Sequence, residues 1–143
     1  MTVAVRSLEA RVFVHATEDK SKVLIALRNV IGEAQVTEED LRGYFGNQII
    51  VMTAHCGPEA AGQVFDRILQ GLSEPDRRFL LSTLEERLTK DGALHLRLDK
   101  QKALKGKFVL NDSDDVIKIV VRFSGGRKGA EEYIRSKAQV NSS

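Results

Sequence analysis

The stretch ALHLRLDKQKALKGKFVLNDSDDVIKIVVRF (93–123) decides the fold. Leu94, Leu96 and Leu98 alternate with His95, Arg97 and Asp99 at one end, and Ile117, Ile119, Val121 and Phe123 alternate with Lys118, Val120 and Arg122 at the other. A period of two marks strands that are buried on one face and wet on the other. Strands are therefore expected at Ala93–Leu98, Lys107–Leu110 and Val116–Phe123, with one helical turn at Lys100–Leu104 and a turn at Asn111–Asp115 rich in Asp, Ser and Asn. Between the strands the chain is cationic: Arg97, Lys100, Lys102, Lys105 and Lys107 face one acid, Asp99. Crowded like charge gives folding little, whereas an anionic partner would use it.

Working outward, the first strand is expected at Leu8–Ala16, with Leu8, Ala10, Val12 and Val14 on one face and Glu9, Arg11, Phe13 and His15 on the other. A helix follows, with Thr17 as its N-cap, Glu18 and Asp19 in its first turn, an apolar face of Val23, Ala26, Leu27, Val30 and Ile31, and Gly32 at its exit. The acidic run EAQVTEED (33–40) leads into Gly43-Tyr-Phe-Gly-Asn47, a tight loop whose two rings either plug the core or stack on a ligand. Ile49–Cys56 is apolar on both faces, as in a central strand or one beneath a helix or partner. Pro58 opens a helix carrying Ala61, Val64, Phe65, Ile68 and Leu72, and Ser73–Asp76 has the form of a capping box before a helix with Leu80, Leu81, Leu84 and Leu88. After Phe123 come a glycine-rich basic linker, a short helix at Ala130–Ser136 and a frayed end.

The order implies an α+β fold, a largely antiparallel sheet with helices packed on one face. Residues 1–123 form one domain and residues 124–143 a basic segment and tail. The 143 residues suit a single core, and a hydrophobic fraction of 42% with 29% charged residues is that of a globular chain. No apolar run approaches the roughly 18 residues of a membrane helix, no signal peptide is expected, and one cysteine, Cys56, suits a reducing compartment, so the cytoplasm is expected. Net charge is only +2, yet it is segregated: residues 92–128 carry nine Lys/Arg against four Asp/Glu.

Strand parity says where these cations point. If helices cover the apolar face, the opposite face collects Arg11, His15, His95, Arg97, Lys107, Lys118 and Arg122, with Phe13, Val109 and Val120 among them and Lys100, Lys102 and Lys105 on its flank. A cationic surface with interspersed apolar groups suits a nucleic-acid backbone, and Phe13 could stack on a base. The same face could simply be a solvated one, or meet a second copy of itself.

Other constellations carry less. Arg122–Gly129 has the layout of a phosphate loop but matches neither the dinucleotide nor the P-loop pattern. His15, His55 and His95 lie on separate strands, and His55 and Cys56 point to opposite faces, so a metal site or thiol nucleophile is not expected. Asp112, Asp114 and Asp115 fit a turn, and Glu85-Glu86 a solvent-facing helix surface. No catalytic set and no cofactor are expected.

Phe13-Val-His-Ala-Thr-Glu-Asp19, Ala26-Leu-Arg-Asn29, Gly43-Tyr-Phe-Gly-Asn47 and Leu96-Arg-Leu-Asp-Lys-Gln101 together resemble the archaeal RNA-binding family catalogued as predicted exosome subunits, over about residues 6–123. The resemblance implies a fold like that of ribosomal protein L-five, RNA as partner and a link to an RNA-processing or degradation assembly. It carries over His15, Asn47, Arg97, Asp99, Lys100 and Gln101 without saying which touch RNA. The expected function is non-catalytic RNA binding through Arg11, Phe13, His15, Arg97, Lys100, Lys102, Lys105, Lys107, Lys118 and Arg122. The competing reading is a homodimeric interaction module docking on such an assembly, and a small nuclease is the weakest.

Overall fold

The computed structural model describes residues 3–42 and 48–139. The elements are β1 (Val5–His15), α1 (Lys20–Ile31), β2 (Val36–Arg42), β3 (Gln48–Cys56), α2 (Ala61–Gly71), α3 (Glu74–Ser82), α4 (Leu84–Arg87), β4 (Ala93–Asp99), α5 (Lys100–Leu104), β5 (Val116–Phe123) and α6 (Gly126–Lys137). The five strands make one antiparallel sheet in the order β2-β3-β1-β5-β4. The fold is α+β, with the helices on one face.

β1 is the central strand, and its alternation fixes both neighbours. Leu8, Ala10 and Val12 are fully buried and lie opposite Cys56, Ala54 and Met52 of β3, while Leu8 and Ala10 face Val121 and Ile119 of β5. Against this layer pack Val23, Leu27 and Val30 of α1 and Phe65, Ile68 and Leu69 of α2.

Several elements differ from the sequence reading. Asp19, not Thr17, caps α1: its carboxylate accepts from the Ser21 hydroxyl (2.6 Å) and amide (3.0 Å), bonds that hold it below the usual carboxylate range. Glu18 thereby falls outside the first turn. The acidic run contains an unforeseen edge strand, β2, where Thr37, Glu38, Glu39, Asp40 and Leu41 are all exposed, so no apolar alternation betrays it. The single helix expected from the Ser73–Asp76 box through Leu88 to Asp91-Gly92 breaks at Thr83, whose hydroxyl donates to the Phe79 carbonyl at 2.7 Å. The capping box is half formed: Ser73 Oγ accepts from the Asp76 amide (3.2 Å), but Asp76 turns away to accept from the Leu110 amide (2.9 Å). Lys107–Leu110 is not a strand; it touches β4 through one bridge, Leu98 to Leu110. Gly43–Asn47 lies outside the described residues.

The largest difference is the segment after Phe123. It is a twelve-residue helix, α6, packed into the same core through Ala130, Ile134 and Ala138, at intervals of four. Tyr133 joins Phe65 and Phe123 in an aromatic trio with centroids 5.4 to 6.2 Å apart. Arg127, read as part of a flexible basic linker, donates to the carbonyls of Leu88 (2.6 Å) and Glu85 (2.9 Å), satisfying the end of α4. The close approach of these segments depends on Gly92, which has φ +88° and whose missing Cβ would lie 2.6 Å from the Gly126 carbonyl. We expect Gly92→Ala to cost about 2 kcal/mol or more, read as a lower denaturation midpoint with unchanged slope.

Candidate nucleic-acid interface

Register assembles the open face of the sheet. Arg11 of β1 lies opposite Lys118 of β5, and Lys118 lies opposite Arg97 of β4. Three cations from three adjacent strands thus stand side by side in one row, which Thr53 and Thr37 continue across β3 and β2. Like charges directly opposite one another destabilise a sheet. No salt bridge among the described residues neutralises any of the three; Arg97 makes only long hydrogen bonds to the carbonyls of Asp112 (3.3 Å) and Ser113 (3.5 Å).

Apolar groups lie beside the row. Phe13 is half-buried, with the Lys118 ammonium 5.9 Å from its ring centroid, and Val120 lies between Glu9 and His95 in the next row. Arg122 is exposed on the same face with Asp91 at 3.9 Å, a weak surface pair. His15, His55 and His95 are all exposed on this face. Acids share the face: Glu9 on the central strand, Glu39 on the edge strand β2, and Asp114 and Asp115 near His15.

The cationic stretch 97–107 does not stay together. Lys100, expected at the edge of the face, is 2% exposed. Its ammonium bonds to the Phe13 carbonyl (3.0 Å), the Glu18 carboxylate (2.9 Å) and Asp115 (2.6 Å). Those acceptors match its three donors, so it has nothing left for phosphate. Its burial follows from Asp99, which caps α5 by accepting from the Lys102 amide (2.8 Å) and starts the helix inward. α5 packs on α1, where Asn29 donates to the carbonyl of Ala103 (2.9 Å). Lys102 and Lys105 are exposed but belong to this helical layer. Lys107, expected to point outward from a strand, lines a groove with Arg67 and Asp76 beside α2 and α3. Of the five cations, only Arg97 joins the open face.

His15, Glu18 and Asp115 bring possible metal donors within 4.8 Å of one another, but the Lys100 ammonium already pairs with both carboxylates. Cys56 is buried, which pushes its thiol pKa up and away from nucleophilic use.

A groove at the outer edge of β4 was missed. It is lined by Phe79, Arg87, His95, Arg97, Glu86 and Asp112. Phe79, Thr83 and Arg87 recur at intervals of four beside the leucine stripe of α3 and α4, a signal present in the sequence but eclipsed by the leucines.

A family model described as RNA binding matches residues 7–123. The chain belongs to the RNA-binding family. RNA-binding protein PAB1135 of Pyrococcus abyssi is 35% identical over 124 residues, 81% of this chain and 80% of that one. Uncharacterized protein MJ0213 of Methanocaldococcus jannaschii is 34% identical over 126 residues, 82% of this chain and 83% of that one. Among solved structures, Mth689 of Methanothermobacter thermautotrophicus, a DUF54 protein, superposes with a TM-score of 0.80 at 32% identity, covering 94% of this chain and 98% of that one. Several residues of the motifs that carry the family resemblance prove architectural here: Phe13 (by its carbonyl), Glu18, Asp99 and Lys100 meet at the start of α5, and Asn29 holds its end through the Ala103 and Leu104 carbonyls.

Lys100→Met is expected to lower stability by about 2–4 kcal/mol, because it leaves Glu18 without its cation. RNA affinity per folded molecule stays at the wild-type value. A denaturant melt paired with an active-fraction-corrected binding titration checks both.

Proposed function

We propose that the protein is a non-catalytic RNA-binding module whose open sheet face holds the phosphate backbone through Arg11, Lys118 and Arg97, with Arg122 extending the track. The observation that carries this reading is the cross-strand row of three cations, none of which has a salt-bridge partner among the described residues. An anionic polymer laid over the sheet relieves their mutual repulsion and gains counterion release. Phe13 and Val120 supply apolar contact for bases, and His15 lies at one end of the path. Membership in the RNA-binding family and similarity to a protein named RNA-binding support the same reading. An RNA-processing or degradation assembly, exosome-linked, and a likeness to ribosomal protein L-five complete the proposal.

Filter-binding titrations against salt test it. With four phosphate contacts, log affinity for single-stranded RNA falls with log salt with a slope of about −2 to −3. Lys118→Ala weakens binding to all sequences alike and reduces that slope by about 0.7 to 1. The combination Arg11→Glu with Lys118→Glu abolishes binding at moderate salt, while Lys102→Ala, Lys105→Ala and Lys107→Ala together have a much smaller effect. The reverse ranking would move the site to the helical layer.

A further inference from the structure

We infer that Phe79 and Arg87 form a base-stacking site for one unpaired nucleobase of single-stranded RNA, where the strand leaves the sheet over the outer edge of β4. This rests on the RNA reading above and adds the kind of RNA and its direction across the fold.

Phe79 is a large hydrophobic side chain on the second turn of α3, 45% exposed although Leu80 beside it is fully buried. Folding does not need it in solvent. Its orientation is nevertheless held. The Arg87 guanidinium lies over the ring, 5.4 Å from its centroid. That guanidinium is fixed in turn: its Nε donates to Thr83 Oγ1 at 2.7 Å, and its Nη2 pairs with Asp112 at 3.3 Å. Thr83 is itself anchored through its hydroxyl to the Phe79 carbonyl. The guanidinium therefore backs the ring from one side and holds it as a pre-set platform, and the exposed surface of Phe79 is of the kind on which unpaired bases stack.

The surroundings suit a base better than a phosphate. The groove is about 270 Å³, and it holds donors on Arg87 and Arg97 and acceptors on Asp112 and Glu86. The charges of those four side chains cancel, so a phosphate gains little there. A base edge, which both donates and accepts, finds partners of both kinds. Arg97 belongs to this groove and to the cationic row, so the two sites are continuous. A strand held by Arg11 and Lys118 reaches Phe79 by passing Arg97. Stacked duplex bases do not present a free face to a ring at this position, so the platform selects single strands.

The chain has no tryptophan, so Phe79→Trp places one reporter in the groove. Titration with single-stranded oligoadenylate is expected to quench its fluorescence along the binding isotherm. An abasic backbone of the same length, or a blunt RNA duplex, binds without that quenching. Phe79→Ala weakens oligoadenylate binding roughly five- to a hundred-fold and leaves the abasic backbone unaffected. Saturable oligoadenylate binding with no fluorescence change, or wild-type affinity in Phe79→Ala, overturns the inference while the sheet-face reading stands. If Phe79→Ala keeps that affinity but changes the sedimentation coefficient, the ring is a protein contact and the inference is equally overturned. Failure of the wild-type protein to bind any of these RNAs overturns both.

Discussion

The structure depends on the register of β1. As the central strand it is paired on both sides, so its alternation is imposed on β3 and β5 together. A slip of one residue would turn Leu8, Ala10 and Val12 to water and bring Glu9, Arg11 and Phe13 under the helices, at a cost no loop could offset. The core thus fixes the pairing, and the pairing fixes which outward side chains become neighbours. Arg11, Lys118 and Arg97 are distant in sequence and adjacent in space for that reason alone. Their alignment is a by-product of burial that a ligand can exploit, and the open face retains it because no helix among the described residues covers that side.

Charge density along the chain and charge density in space prove to be different quantities. The stretch 97–107 is the most cationic in the sequence, yet the fold distributes it among three environments. Arg97 stays on the sheet. Lys100 turns inward and joins β1, the β1–α1 connection and the start of β5 through one ammonium. The remaining lysines follow α5 into the helical layer. A buried, fully bonded ammonium is a specific constraint on how those segments meet, since removing it strands a carboxylate.

The sequence made the sheet legible wherever one face is buried. β1, β3, β4 and β5 all have an apolar alternation or an apolar run, and their outward residues could be assigned by parity. β2 was illegible because an edge strand lying beyond the helices needs no apolar face; Glu38, Glu39 and Asp40 resemble a loop. Lys107–Leu110 misled in the opposite sense, alternating like a strand while sharing only one bridge with the sheet. The burial of Lys100 was invisible because its partners, Glu18 and Asp115, come from remote positions and only the folded topology joins them. Glycines at 125 and 126 suggested a linker, whereas they make the turn that lets α6 fold back onto the core. The Phe79 groove was hidden for a related reason: helical periodicity draws attention to the leucines, and the face beside them acquires meaning only when β4 is placed against it.

The central claim is that RNA lies on the open sheet face along one cross-strand row. Amide chemical-shift mapping during titration with single-stranded RNA tests it most directly. The account predicts that the largest perturbations fall on β1, β5 and β4 around Arg11, Lys118 and Arg97, with α1, α2 and α5 quiet. Perturbations concentrated around Lys102, Lys105 and Lys107, with the strands unmoved, would contradict it.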